Sequence, residues 1–149
     1  MSVLSNFDIE TILKEEQCPA IVCCRDELIR HVSNNKFIIN YDLSTQEGSH
    51  WVALYIYKDT GFYVDSYGRK PLPEIIEYLI LRGCTQCCYN DQQIQHNSSI
   101  DCGWFAVYAL LMFENMKIKS MHAYIAQFNK RNFKKNDELL IQRFHKLIN

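Results

Sequence analysis

The run from Gly103 to Glu114 constrains the fold more than any other stretch of this chain, because it is compatible with a helix and is apolar almost throughout. A helix that is apolar on all its sides must be buried on all its sides. Covering it requires further layers, and the segments before it have the character of strands. We therefore predict an α+β fold in which a small, mostly antiparallel central sheet is flanked by helices and packs against this buried central helix.

Cys102 stands directly before this run, at the predicted N-terminus of the central helix. Asp101 and Gly103 suit a cap and a tight entry into the helix. A thiolate at this place would face backbone N–H groups that have no intrahelical partner, together with the positive end of the helix macrodipole, and both favour the charged form. This stretch alone leaves open the alternative that Cys102 is a small buried core residue.

Three segments rich in β-forming residues precede the central helix and lie close together. Residues 37–41, 50–57 and 61–65 have the composition of strands, and residues 58–61 form a good hairpin turn between the last two. Strands this close in sequence predict an antiparallel meander. Residues 84–95, which precede the central helix, are expected to form either a short strand or an irregular edge.

Two helices are predicted before these strands, from cap residues and apolar spacing. The first is capped by Ser5 or Asn6, and the second, shorter one covers about residues 24–32. The apolar face of the first helix is expected to consist of Phe7, Ile9, Ile12 and Leu13.

Three further helices are predicted around and after the sheet. Residues 74–81 form one of them, with Pro73 at its first position and Gly83 as its stop. Ser120 caps another that runs to about residue 129. Asn136 or Asp137 caps the last.

His50 and Asp65 are brought together by the predicted hairpin. His50 opens the longest strand, and Asp65 closes the next one. Counting outward from the turn pairs Leu54 near Asp65, which sets the carboxylate within a few residues of the imidazole. Taken singly, a histidine at a strand edge is more often structural, and an aspartate before Ser-Tyr-Gly is also an ordinary turn former.

Gln95 lies seven residues before Cys102, in the loop that must deliver the cysteine. Its side-chain amide could join the Cys102 backbone N–H in an oxyanion hole. A cysteine protease needs a thiolate, an imidazole, a group that orients the imidazole, and donors for the oxyanion. The chain supplies all four in a consistent order, which favours the interpretation of Cys102 as the nucleophile.

Three segments carry a resemblance to a known family. Residues 48–51 read Gly-Ser-His-Trp, residues 64–68 read Val-Asp-Ser-Tyr-Gly, and residues 95–103 read Gln-x(6)-Cys-Gly. Together they resemble the adenain family of adenovirus-type maturation cysteine proteases, within the wider group of SUMO-specific and ubiquitin-like-protein-protease-like enzymes. The resemblance covers about residues 5–116. The separation of the glutamine from the cysteine is closer to adenain, whereas an aspartate at position 65 is closer to the SUMO-protease branch.

The resemblance implies a papain-like or adenain-like fold and a role for each matching residue. His50 would be the general base, Asp65 its orienting acid, Cys102 the nucleophile and Gln95 the oxyanion donor. Trp51 would form a wall of the narrow cleft that admits glycine in this group. No metal and no cofactor would be required.

The leading hypothesis is a cysteine endopeptidase that cleaves after Gly-Gly or Gly-x-Gly motifs in viral structural precursor proteins. One alternative is an isopeptidase that removes ubiquitin-like modifiers, as a deSUMOylase does. Another, from a different class, is a non-catalytic module that binds nucleic acid or capsid. Four matching residues in order argue against the last of these.

The seven cysteines are an odd number, and no signal peptide is evident, so we expect mostly free thiols in a reducing compartment. That fits an intracellular location, in the nucleus or cytoplasm of an infected cell, and also in the virion. By resemblance, Cys84 falls near the cysteine that links adenain to an activating viral peptide by a disulfide. Cys84, Cys87 and Cys88 could instead form part of a zinc site, completed by His96 or by the cysteines at positions 18, 23 and 24.

Charge is distributed unevenly along the chain. Residues 1–116 carry a net charge of −7, whereas residues 117–149 carry +6. The basic tail, which includes Lys130, Arg131, Lys134 and Lys135, could contact DNA or an acidic partner. A solvated helical face is the simpler alternative. Length and composition fit a single protease domain over residues 1–149 that includes this tail, with no membrane segment.

Overall fold

The computed structural model describes residues 2–47, 50–116 and 120–148. Gly48 and Ser49 of the first motif, and Lys117 and Lys119 of the basic tail, lie outside the described residues. The chain runs in the order α1 (Asn6–Glu15), β1 (Ile21–Cys24), a 3₁₀ helix (Arg25–Arg30), β2 (Lys36–Asn40), β3 (Trp51–Tyr57), β4 (Thr60–Val64), α2 (Pro73–Leu81), β5 (Gln86–Tyr89), α3 (Cys102–Met116), α4 (Met121–Ile125) and α5 (Phe133–Ile148).

The sheet has five strands in the order β1-β2-β3-β4-β5. The three central strands form the predicted antiparallel meander, and the two edge strands join it in parallel. The predicted α+β fold with a small sheet and flanking helices is therefore confirmed. The sequence did not predict β1, which has only four residues, too few for a period-2 pattern to stand out before the 3₁₀ helix that replaces the predicted second helix.

The central helix α3 lies on one face of the sheet. Its residues 103–111 are all buried, as the apolar pattern predicts, and they pack with β3, α1 and α5. Helix α2 covers the other face, where its buried residues contact a second apolar cluster. The sheet is thus enclosed between helices, and Cys102 at the N-terminus of α3 is partly exposed.

Helix α1 begins where the cap residues predict. The Ser5 hydroxyl accepts a hydrogen bond from the Asp8 backbone N–H, and the Asp8 carboxylate accepts one from the Ser5 N–H, which forms a capping box. Ile9, Ile12 and Leu13 are buried. The prediction for Phe7 was wrong: its side chain is 73% exposed, because it lies in the first turn, off the face that meets the core.

The hairpin between β3 and β4 differs from the predicted register. Tyr57 pairs with Thr60, so the turn contains only Lys58 and Asp59, and Lys58 adopts a left-handed φ of 56°. Leu54 consequently pairs with Tyr63 and not with Asp65. The shift is two residues, so each side chain keeps its predicted face. Asp65 moves nearer to the level of His50.

The basic tail packs on the core. Helix α4 starts after its predicted cap Ser120 but ends earlier than predicted. Helix α5 begins at Phe133, so the prediction of Asn136 or Asp137 as its cap was wrong. Asn136 is buried instead, and its amide donates to the backbone carbonyls of Ile94 and Asn129. No helix in the described part of the chain is long and apolar enough to cross a membrane.

Candidate active site

His50 and Asp65 meet at one end of the central hairpin. His50 directly precedes β3, and Asp65 directly follows β4. The His50 Nε2 atom lies 2.8 Å from Asp65 Oδ1, and both side chains are buried. The Asn90 side-chain amide forms two hydrogen bonds with the Asp65 backbone: it donates to the Asp65 carbonyl at 2.6 Å and accepts from the Asp65 N–H at 3.1 Å. The backbone that carries the carboxylate is therefore fixed independently of the histidine.

The electrostatics of this pair favour its charged form. Burial lowers the pKa of His50, but hydrogen bonds to Asp65 and Cys102 outweigh burial and raise it above the ordinary value. Burial raises the pKa of Asp65, but the His50 contact, the Tyr67 N–H and the Arg69 charge outweigh burial and lower it. The environment thus supports an imidazolium facing a carboxylate.

Two tyrosine rings flank the His50 imidazole. The Tyr67 ring stacks on it, with centroids 4.8 Å apart and planes inclined by 22°. The Tyr41 ring presents an edge at 5.9 Å. These contacts restrict rotation of the imidazole, so that one ring nitrogen stays directed at Asp65.

Cys102 is the first residue of α3 and is partly exposed. Its thiol lies close enough to the His50 side chain to help raise the pKa of that imidazole. Because His50 Nε2 is held by Asp65, the other ring nitrogen, Nδ1, is the one left to face the thiol. The structure therefore brings the predicted cysteine, histidine and aspartate together in one row.

Gln95 lies fully buried beside this row. Its side-chain oxygen accepts a short hydrogen bond from the Ser66 hydroxyl, and its side-chain nitrogen donates to the Ser99 carbonyl at 2.9 Å. An amide nitrogen carries two N–H bonds, so one of them has no acceptor among the described residues. The predicted role of Gln95 as an oxyanion donor stays a prediction that this arrangement permits.

Trp51 and Cys102 line a common cavity of about 580 Å³. The Trp51 indole N–H donates to the Leu4 carbonyl at 3.1 Å, and Trp104 donates likewise to the Ser2 carbonyl at 3.0 Å. The N-terminal segment is therefore held beside Cys102 and forms part of the cavity lining. The role of Trp51 as a wall of a glycine-selective cleft stays a prediction.

Cys84, Cys87 and Cys88 are free thiols, each partly buried. Among the residues that the structure describes, no group of three or more His, Cys, Asp and Glu side chains is arranged to hold a metal ion. The zinc alternative therefore finds no support in the described residues. The link between Cys84 and an activating peptide stays a prediction.

Several side chains of the site had no role in the sequence analysis. Ser66 holds Gln95, Asn90 holds the Asp65 backbone, and Tyr41 and Arg69 surround the His50–Asp65 pair. Tyr67 belongs to the second motif and Arg69 directly follows it, so their proximity to Asp65 was a usable signal. The contacts of Ser66, Asn90 and Tyr41 depend on tertiary structure, and no local pattern identifies them.

Comparison with known proteins shows that the structure is similar in fold to a protease. No protein-family model and no curated protein matches the chain. Among solved structures, the selenomethionine form of the ASFV pS273R protease is similar, with a TM-score of 0.60, 16% identity, and coverage of 87% of this chain and 64% of that one. A second structure of the ASFV pS273R protease has a TM-score of 0.56, 16% identity, and coverage of 74% and 57%.

These likenesses establish a shared fold. The chain spans about three fifths of the length of the ASFV pS273R protease, as the two coverages of 64% and 57% indicate. The adenain resemblance of the sequence motifs is not decided by them and stays a prediction.

Proposed function

We propose that this chain is a cysteine endopeptidase of viral type in which Cys102 attacks a peptide carbonyl. The observation that carries the proposal is the row of Cys102, His50 and Asp65, in which His50 bonds to the carboxylate through Nε2 and lies beside the thiol, which helps to raise its pKa. A buried imidazole between a thiol and a carboxylate can take the thiol proton, hold it and return it. The protease fold of the similar structures is consistent with this chemistry.

The reaction would proceed through a thioester. His50 takes the proton of Cys102, and the thiolate attacks the scissile carbonyl carbon. The backbone N–H of Cys102 and the second N–H of Gln95 stabilise the oxyanion. The imidazolium then gives its proton to the leaving amine, and a water molecule activated by His50 hydrolyses the thioester.

The proposed substrates are protein segments with Gly-Gly or Gly-x-Gly sites, cut after the glycine. Support comes from the motif resemblance and from the position of Trp51 at the wall of the cavity that contains Cys102. Substrates of this type would include viral structural precursors. Glycine would be selected because a side chain there would meet the walls of a narrow cleft.

Purified protein should cleave fluorogenic Gly-Gly or Gly-x-Gly peptides, and a peptidyl glycinal should block the cleavage. Cys102→Ala should abolish hydrolysis while peptide binding persists. Cys87→Ala is the matched control, since it removes another partly buried free thiol that lies outside the row. If the wild type cleaves none of these peptides and Cys102 does not react with the glycinal, the proposal is wrong.

The same assay separates the isopeptidase alternative. A ubiquitin-like modifier with an electrophile after its C-terminal Gly-Gly would label Cys102 much faster than short peptides do if modifier removal were the activity. An endopeptidase that processes precursors should instead prefer the peptides. Labelling rates of the two probes, compared at equal concentration, therefore distinguish the two kinds of enzyme.

Activation by a peptide through Cys84 and by DNA through the basic tail belongs to the same proposal. Lys130, Arg131, Lys134 and Lys135 are exposed and carry charge that phosphates would attract. DNA should raise the rate in a salt-sensitive way, and reversal of these charges should remove that effect. A cysteine-containing activator should depend on Cys84 and lose its effect in Cys84→Ser.

A further inference from the structure

Arg69 lies against the Asp65 carboxylate, on the side away from His50. Its Nε atom donates to Asp65 Oδ2 at 3.0 Å, whereas His50 bonds to Oδ1. The two oxygens of the carboxylate are thus divided between the guanidinium and the imidazole. The Tyr67 backbone N–H adds a third donor, to Oδ1, at 2.9 Å.

The guanidinium also contacts both tyrosine rings that flank His50. It lies 4.3 Å from the centroid of the Tyr41 ring and 5.3 Å from that of Tyr67. Cation–π contacts of this length are attractive. Arg69 therefore contacts the carboxylate and both tyrosine rings, and these same three groups contact the His50 imidazole.

A tight turn at Gly68 places Arg69 there. The Gly68 N–H donates to the Asp65 carbonyl at 2.7 Å, and Gly68 has a φ of 73°. A Cβ atom at this position would lie 2.7 Å from the Gln93 backbone nitrogen. Only glycine fits both the left-handed conformation and the close approach, so the turn that returns Arg69 over Asp65 is built into the backbone.

A fully buried carboxylate needs more than one neutral partner to stay ionised. During the proposed reaction, the charge of His50 would change at each proton transfer, twice in acylation and twice in deacylation. Among the described residues, His50 and Arg69 are the positively charged groups that face Asp65, and only the charge of Arg69 is independent of that cycle. The tyrosines there, Tyr63 and Tyr67, are neutral at ordinary pH.

We propose that Arg69 is a positioning residue of the catalytic row, which holds the Asp65 carboxylate and the two tyrosine rings so that His50 keeps one orientation towards Cys102. The inference rests on the proposed function. Arg69 itself touches neither the thiol nor the imidazole in any described contact, and its side chain is 44% exposed, so it acts through Asp65 and the rings.

The test measures kcat, KM and their pH dependence for Arg69→Gln and Arg69→Lys. Arg69→Gln should lower kcat about tenfold, which corresponds to loss of one charge-assisted contact, and should change KM less than twofold. The acid limb of the pH profile should move to higher pH, because a carboxylate no longer shared with a guanidinium attracts the imidazolium more strongly and so raises the pKa of His50. Arg69→Lys should keep the acid limb in place, since it keeps the charge, but should lose part of kcat because it lacks the planar fork.

Arg82→Gln is the matched control. Arg82 also lies over a tyrosine, Tyr78, at 5.5 Å, and also donates hydrogen bonds, but it belongs to the end of α2. This variant should keep kcat and the acid limb of the profile. If Arg69→Gln changes neither kcat nor the acid limb, or if Arg82→Gln moves that limb equally, the positioning role is wrong. Should Arg69→Gln not fold, Arg69→Lys decides, because wild-type kcat in that variant would overturn the inference.

A second measurement keeps this inference apart from the proposed function. In the Cys102→Ala protein, which needs no turnover, the His50 imidazole can be titrated by ¹H–¹⁵N NMR. Adding Arg69→Gln should raise the midpoint, and adding Arg69→Lys should leave it unchanged. An unchanged midpoint in both would overturn the role of Arg69 even if peptides are cleaved, whereas a raised midpoint would support it even if no peptide is cleaved.

Discussion

The two halves of the candidate site are held in different ways. On the base side, side chains hold side chains: the Asp65 carboxylate accepts from His50, Arg69 and a backbone N–H, and tyrosine rings cover the imidazole. On the nucleophile side, most of the contacts that fix the residues come from the backbone. Cys102 is fixed by the start of a buried helix, and Gln95 is held through the Ser99 carbonyl and the Ser66 hydroxyl.

This difference indicates where each half is vulnerable. A substitution on the base side should change protonation, and its effect should depend on pH. A substitution on the nucleophile side should change the placement of donors, and its effect should be much the same at every pH. Tyr67 connects the halves, because its ring stacks on His50 and its hydroxyl donates to the Ser99 carbonyl at 3.4 Å.

Asp65→Asn should have the largest effect. An amide cannot stabilise the imidazolium as a carboxylate does and can impose the wrong tautomer, so kcat should fall by about 10⁴-fold, the loss that this substitution causes in a serine-protease triad. Since Asp65 raises the pKa of His50, the acid limb of kcat/KM, which reports deprotonation of the base, should move to lower pH in the variant. Steady-state rates against pH measure both changes.

Asp91→Asn is the control for this substitution, since Asp91 is an exposed aspartate in the loop after β5. It should leave the profile unchanged. A loss of kcat in Asp65→Asn of less than tenfold, with the limb in place, would mean that the base side does not control protonation.

The base side was also the more predictable half. The hairpin strands and the proximity of Asp65 to His50 follow from strand composition and turn residues, and the structure has both. The register was wrong by two residues because Lys58 takes a left-handed conformation that allows a shorter turn, and lysine is not a residue that signals one.

Gln95→Ala should have the next largest effect, because it removes the proposed oxyanion donor. Loss of one such donor lowers kcat by about 10²–10³-fold. The loss should be the same across the pH range, in contrast to Asp65→Asn. Single-turnover rates of thioester formation measure it, with the melting temperature recorded to confirm folding.

Gln92→Ala is the matched control for the amide. The Gln92 side-chain nitrogen is buried and has no hydrogen-bond partner among the described residues. Its removal should leave kcat near the wild-type value. Equal losses in the two variants would indicate a general disturbance of the loop, and the oxyanion role of Gln95 would lose its support.

Ser66→Ala should have a smaller effect on the same step. It removes the hydroxyl that holds the Gln95 oxygen but leaves the bond from Gln95 to Ser99. A net hydrogen bond contributes about 1 kcal/mol, so kcat should fall by about fivefold. Combined with Gln95→Ala, Ser66→Ala should add almost nothing, because both act through one group. Additive losses in the double variant would contradict this coupling.

The nucleophile side shows why sequence reasoning stops where it does. The central helix and Cys102 at its start follow from an apolar run and a polar boundary, both local. Ser66 and Gln95 are 29 positions apart and meet only after β4 and the loop before α3 are in place. A serine after a strand end carries no local signal for such a contact, so the support of Gln95 could be found only in three dimensions.

The smallest effect should be a pH-dependent difference in stability between the wild type and Asp65→Asn. The raised pKa of His50 gives stability that is fully present below the ordinary value of 6.5 and is lost as pH rises through the raised value. The lowered pKa of Asp65 gives stability that is present above the ordinary value of 3.8 and is lost as pH falls through the lowered value. The difference in melting temperature should therefore be largest between about pH 4 and 6.5 and should shrink on both sides. For a chain of this size, about 1 kcal/mol corresponds to roughly 2–4 °C, which differential scanning fluorimetry resolves.

Ser66→Ala should show no such maximum, because it changes no titrating group. A maximum in both variants, or in neither, would remove the distinction between a base side governed by charge and a nucleophile side governed by placement.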